Sequence, residues 1–287
     1  MVIKTNDKIE FNSDNGYHTL PGLNFMRNTV TLTLAFFLLF VTVSSAKSQP
    51  EHYTTIDIVT PSWENVTNKD GSGLYFDILR KIYKPYDIEL KFTIVPWRRA
   101  VDMVKNKQSD TMLGGYYVVS DEVKDLFPRY PIGREVLAAL IKKGPATVWE
   151  GKKSVAHKNV VWIRGYNYHK YLDVSTNGME IDREAQGWKM VESGRADAYF
   201  ENINFLNRYI KNEKVDMGQY EIHIISERPL FARFSNTPKS RKLIEIYDSR
   251  MPELLEQDEI RRLFDKWGFP YPSFTPREGN DGVKVIE

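Results

Sequence analysis

The sequence predicts an α/β protein of two lobes, the second inserted into the first. Three observations carry this expectation. Short β-branched runs alternate with stretches of helical periodicity from about residue 55 to residue 266, the pattern of largely parallel sheets covered by helices. A Lys143-Gly144-Pro145 joint interrupts that alternation, which then restarts. After a strand at 230–234, two amphipathic helices close the pattern, so the chain is expected to cross between lobes twice and leave a ligand-sized cleft between them.

Residues 55–60 (TIDIVT) read as a strand ended by Pro61, and 66–73 as turn. Helical periodicity over 75–83 stops before Pro85. Residues 88–95 are a β-branched strand; Pro96, with fixed φ and no N–H to satisfy, opens a helix over 97–106 with Ala100, Val101, Met103 and Val104 inward. Strands are expected at 111–115 and at 136–142, the latter strongly apolar. Beyond the joint come a strand at 160–164, a turn and short helix at 167–172, a helix at 183–193, a strand at 197–200, a helix at 202–211 and a strand at 221–226. Residues 230–234 return as a strand, helices follow at about 239–255 and 257–266, and the Pro-rich residues after Gly268 read as a tail. The expected organisation is lobe one over 47–142, lobe two over 143–228, a return of lobe one over 229–272 and a C-terminal tail over 273–287.

The N-terminus speaks to compartment. Residues 30–43 (VTLTLAFFLLFVTV) are a 14-residue charge-free stretch, shorter than the about 20 residues a bilayer span needs. Arg27 precedes it and Ser44-Ser45-Ala46 follows, which together make the charged region, apolar region and small-residue site of a secretory signal cut after Ala46. Residues 1–25 mix Lys4 and Lys8 with Asp7, Glu10 and Asp14 and fit that signal poorly, so Met26 reads as its true start. Residues 1–46 are thus an expected extension plus signal peptide, and the exported chain is expected in the periplasm.

Composition excludes several classes of chemistry. Forty Lys+Arg against 38 Asp+Glu leave a formal charge of +2, which gives no general reason for a nucleic-acid partner. With no cysteine, thiolate nucleophiles, Cys-ligated zinc and iron–sulfur clusters are excluded together. The histidines at 18, 52, 157, 169 and 223 show no metal-ligand spacing. No HExxH, GxSxG or Walker-type loop is present, and Gly71-Ser72-Gly73 does not complete GxGxxG. Carboxylates abound without a spacing that singles out an acid/base pair. The reading is a non-enzyme without cofactor or metal.

Several segments, in order, carry a resemblance. These are Gly73-Leu74-Tyr75-Phe76-Asp77-Ile78-Leu79; Val95-Pro96-Trp97-Arg98-Arg99-Ala100 followed by Asp110-Thr111-Met112-Leu113-Gly114-Gly115; Gly151-Lys152-Lys153 with Val161-Trp162-Ile163-Arg164-Gly165; Ser193-Gly194-Arg195-Ala196-Asp197-Ala198; and Leu263-Phe264-Asp265-Lys266-Trp267-Gly268. Over about residues 53–270 the chain resembles the bacterial periplasmic solute-binding proteins of family 3, the polar-amino-acid type. The resemblance implies a two-lobe type II periplasmic binding fold with crossovers near 141–145 and 227–230. It implies closure on a small polar solute and delivery by a monomer to an inner-membrane ABC-type transporter permease. A sensor acting on a membrane receptor and a small dehydratase-like enzyme are the alternative roles for the same fold.

Carried onto this sequence, the resemblance places first-lobe contacts at Trp63, Trp97 and Gly115, Tyr116 and Tyr117. Second-lobe contacts fall at Arg164, Gly165, Tyr166 and Asn167, where backbone N–H groups would meet an anionic ligand group. Glu201 or Asn202 would grip an ammonium. Each has a plainer alternative: Trp63 and Trp97 as packing, Arg99 as an ion pair, Asp77 and Asp197 as caps. Amino-acid binders of this family carry T-x-E-R after the glycine, whose Arg clamps the ligand carboxylate. Here Glu122 stands at that Arg position, which puts an ordinary α-amino acid in doubt unless Arg98, Arg99 or Arg164 replaces the clamp. The expected ligand is amino-acid-like or amine-bearing.

Overall fold

A computed structural model describes residues 53–118, 125–144 and 148–278. The expected signal segment, Pro145 and Glu122 lie outside the described residues. Among the described residues no helix is long and apolar enough to cross a membrane.

The elements in chain order are β1 (Thr55–Thr60), α1 (Leu74–Tyr83), β2 (Glu89–Ile94), α2 (Trp97–Lys105), β3 (Thr111–Gly115), β4 (Gly133–Lys142), β5 (Asn159–Ile163), β6 (Asn177–Ile181), α3 (Glu184–Glu192), β7 (Ala198–Asn202), α4 (Ile203–Glu213), β8 (Tyr220–Phe234), α5 (Pro238–Glu256) and α6 (Glu259–Trp267). They form one eight-stranded sheet in the order β2-β1-β3-β8-β4-β7-β5-β6. β1 pairs in parallel with β2 and β3, and β5 in parallel with β6 and β7. Between these two parallel groups run β4 and β8, antiparallel to each other and to their outer neighbours.

Each lobe has its own core, built by the period-two alternation of strand side chains. In lobe one, Ile56 and Ile58 pack beneath Phe76, Leu79 and Ile82 of α1, Leu243, Tyr247 and Met251 of α5, and Phe264 of α6. The opposite face joins Val59 and Met112 to Ala100 and Val104 of α2. In lobe two, Leu137, Ala139 and Ile141 of β4 face Val160, Trp162 and Phe200, while Ala138 and Leu140 face Trp188, Val191 and Leu206. Burial of each such large apolar side chain contributes about 1.5–3 kcal/mol, so both lobes have a substantial core of their own.

Three expectations change. Residues 221–226 and 230–234 are not separate strands: β8 runs unbroken for 15 residues and serves both lobes. Its Arg228-Pro229 pair remains in the ladder with β4, because Pro229 faces Arg134 without needing to donate. The first passage between lobes lies at Gly133–Val136, earlier than 141–145, since Ile132 belongs to the first core while Leu137–Ile141 already pair with β7. Residues 269–278, part of the Pro-rich segment expected as a tail, pack on lobe one. Phe274 is buried against the first core, with Phe269 and Tyr271 packed beside it.

Candidate functional site

The ends of β1, β3, β5 and β7 converge on one cavity of about 1000 Å³ between the lobes. Lobe one contributes Trp63, from the loop after β1, Trp97 at the first turn of α2, and Gly115 and Tyr116 at the end of β3. Lobe two contributes Gly165, Tyr166 and Asn167 from the turn after β5, and Glu201 and Asn202 from the end of β7. Arg99, Tyr117 and Arg164 do not line the cavity. Arg99 is exposed on α2. Tyr117 packs edge-on against Phe127, with the Arg277 guanidinium 4.5 Å from its ring centre.

An aromatic trio spans the cleft. The Trp63 and Trp97 rings lie 5.9 Å apart, and Trp97 meets Tyr166 edge-on at the same separation. The Trp63 Nε1–H donates to the Tyr166 hydroxyl at 2.9 Å. Gly165 (φ 86°) makes this approach feasible: a Cβ there would stand 3.3 Å from the Trp97 ring and 3.4 Å from the Arg98 Cβ.

Two carboxyls, the buried Glu201 and the half-buried Glu135, face the same space. Glu201 accepts from the Tyr199 hydroxyl at 2.9 Å and from the Asn202 backbone N–H at 2.8 Å. Burial still dominates and, helped by the nearby charges of Glu184 and Glu135, pushes its carboxyl up to about 8. It is therefore largely protonated at neutral pH when the cleft holds no cation. Glu135, on β4, accepts from the Tyr168 hydroxyl at 2.8 Å and from the Tyr116 hydroxyl. Burial raises it as well, while the two phenols and the cross-strand neighbour Arg228 oppose the shift. Arg228 donates to the Tyr171 carbonyl at 3.0 Å and stands over the Tyr116 ring.

Of the turn expected to offer N–H groups to an anion, those of Arg164, Gly165 and Tyr166 already have acceptors, the first being the Ile181 carbonyl. The Gly165 N–H donates to Glu180 Oε1 at 2.8 Å, and the Tyr166 N–H donates to the Ile163 carbonyl. Arg164 reaches Asp182 at 2.8 Å and Glu180 at 3.3 Å. Asp197, expected as a cap, accepts from the Asn159 N–H, and Asp77 accepts from Arg80, Lys266 and Trp267. Among the described residues no group of three His, Cys, Asp or Glu side chains is placed to hold a metal ion.

Sequence reasoning did not single out Glu135, Tyr168, Tyr171 or Glu180. A signal for Glu135 was available: it is a carboxyl at the head of the apolar run VLAALIK, and starting the strand at residue 136 placed it outside. β6, which carries Glu180, was not expected at all, because four of its five residues are exposed and show no alternation.

No protein-family model matches the chain, and no curated protein matches it. Solved structures do. The GluR0 ligand-binding core from Nostoc punctiforme in complex with L-glutamate is 21% identical, with a TM-score of 0.59 over 75% of this chain and all of its own. An ancestral arginine-binding protein bound to arginine is 17% identical, with a TM-score of 0.60 over 75% of this chain and 99% of its own. The ancestral amino-acid-binding protein AncCDT-1, described as a precursor of cyclohexadienyl dehydratase, is 17% identical, with a TM-score of 0.57 over 75% of this chain and 95% of its own. The chain thus has the two-lobe periplasmic binding protein fold that its motifs resemble.

Proposed function

We propose that this protein binds one small, amino-acid-like or amine-bearing solute between its lobes, closes on it, and hands it to an inner-membrane transporter from the periplasm. The observation that carries the reading is the cavity itself. Aromatic side chains from both lobes and the buried Glu201 face one space between the lobes, and the Trp63–Tyr166 hydrogen bond crosses it. A ligand that touches both lobes binds the closed arrangement better than the open one and shifts the population toward it. Aromatic faces hold a cation or a flat apolar group, while Glu201 supplies the negative partner of an ammonium. The relatives in fold bound to glutamate and arginine support a polar solute of that size.

A thermal-shift screen of residues 47–287 against polar solutes tests the reading. Ligand at about 100 times its Kd should add about 2.7 kcal/mol of stability. A screen in which no amine, amino acid or sugar raises the unfolding temperature would sink it.

A second reading rests on Glu201. A carboxyl that stays protonated at neutral pH in a closed cleft is equipped to act as a general acid, as a dehydratase would require. Recovery of bound solute unchanged after prolonged incubation separates binding from turnover.

A further inference from the structure

We propose, resting on the cleft reading above, that the ligand is an organic amine cation without a carboxylate, and that Glu180 excludes α-amino acids by occupying the donors their carboxylate would use. The occupation is specific. Glu180 stands on the edge strand β6 beside Trp162 of β5, one strand outward from the Gly165 turn. Its Oε1 takes the Gly165 N–H at 2.8 Å and its Oε2 takes Arg164 Nη1 at 3.3 Å, while Asp182 takes Arg164 Nε at 2.8 Å. The chain's own carboxylate therefore sits where a ligand carboxylate would sit. A ligand anion arriving there must displace Glu180 from the Gly165 N–H or stand beside it against like charge.

The remaining arginines of the cavity do not offer an equal substitute. Arg134 is paired with Glu227 and Arg233 with Asp125. Arg98 is exposed, where solvent weakens its hold on an anion. On the other side of the balance stand the buried Glu201 and the half-buried Glu135, both facing the cavity. Glu201 lies close enough to Tyr166 and Tyr168 to influence both phenols. An ammonium seated against Trp63, Trp97 and Tyr166 would have π faces around it and a buried carboxylate as counter-ion.

Matched pairs that differ by one carboxylate provide the test: arginine and agmatine, lysine and cadaverine, tyrosine and tyramine, titrated calorimetrically into the wild-type protein and Glu180→Ala. Glu180 is partly exposed on an edge strand, so the variant should fold; its circular dichroism and unfolding temperature check this. In the wild type, at least one amine should bind about 10-fold or more tightly than its parent amino acid, a difference of about 1.4 kcal/mol. Glu180→Ala should narrow that ratio at least about threefold by tightening the amino-acid arm, because the Gly165 N–H is released and a like charge is removed from beside it. An amino acid that binds wild type as tightly as its amine overturns the inference and leaves the cleft reading standing. So does an affinity ratio unchanged by Glu180→Ala. If none of the three amines binds, the inference falls; the cleft reading falls with it only if the wider solute screen is also blank.

Discussion

The Trp63 indole of lobe one donates its N–H to the Tyr166 hydroxyl of lobe two at 2.9 Å, so the two lobes are hydrogen-bonded through side chains that also line the cleft. Parting of the lobes would break this bond, so it favours the arrangement in which they meet. A net hydrogen bond is worth about 0.5–1.5 kcal/mol, or about two- to tenfold in an equilibrium. Trp63→Phe keeps an aromatic face and removes the donor. It should weaken binding of any cleft ligand by that factor and increase the radius of gyration of the unliganded protein in small-angle scattering. An unchanged affinity and scattering profile would show that the bond does not bias closure.

A second contact between the lobes is of a different kind. Arg208, on α4, donates to the Glu64 carbonyl at 2.9 Å and approaches the Glu64 carboxylate at 3.5 Å. Its guanidinium also lies 5.5 Å from the Phe205 ring centre and 5.9 Å from that of Phe269. Arg208→Lys retains the charge but loses the planar fork and its stacking, so it should behave more like Arg208→Ala than like wild type. Both should accelerate ligand release in stopped-flow measurements, by about two- to fivefold for a contact worth about 0.5–1 kcal/mol. Full rescue by Lys would mean that charge alone matters there.

Glu201 makes ligand affinity depend on pH with a definite sign. With its carboxyl raised to about 8, the empty cleft holds it protonated through neutral pH, whereas an ammonium ligand requires the ionised form. Affinity for an amine should therefore rise from pH 6 to about 8 and then level off, until the amine itself loses its proton. Below pH 8, binding should release up to one proton, visible as a dependence of calorimetric heat on buffer ionisation enthalpy. Glu201→Gln should flatten the profile and abolish the proton release. A pH-independent wild type would remove Glu201 from the ligand's surroundings.

What the sequence made legible follows from where each signal is generated. β1, α1, α2 and β3 were readable within a residue or so, because their apolar periodicity and flanking Pro or Gly are local. β8 was read as two strands since Pro229 looks like a breaker, and only its pairing with β4 shows that the prolyl nitrogen faces no acceptor it needs. β6 is an exposed edge with no pattern to find. Trp63, Trp97, Tyr116, Tyr166 and Glu201 were brought together by resemblance and do line one cavity. Glu180 and Glu135 escaped because their importance lies in partners distant in sequence or across strands, Tyr116 and Tyr168 for one and Arg164 and Gly165 for the other.

Glu135 is the fourth place where a substitution should speak clearly. It sits at the passage between lobes and takes one phenolic hydrogen bond from Tyr116 of lobe one and one from Tyr168 of lobe two. Tyr168→Phe leaves one half-buried carboxyl oxygen without its donor, which costs about 1–3 kcal/mol. At about 2–4 °C per kcal/mol for a chain of this size, the unfolding temperature should fall by about 2–12 °C. The sign of its pH dependence follows from burial. Glu135 is raised in the folded protein, so the native state binds more protons than the unfolded state above the ordinary carboxylate range, and stability declines as pH rises through that window. Removing a phenol that stabilises the ionised form raises Glu135 further, so the penalty of Tyr168→Phe should be larger at pH 8 than at pH 5. Glu135→Gln, which cannot ionise, should show a shallower decline than wild type over the same range. Unfolding temperatures of wild type and the two variants at pH 5, 6.5 and 8 decide the matter. A Tyr168→Phe penalty that is equal at all three would mean that the phenol serves packing alone and that Glu135 is held by Arg228 instead.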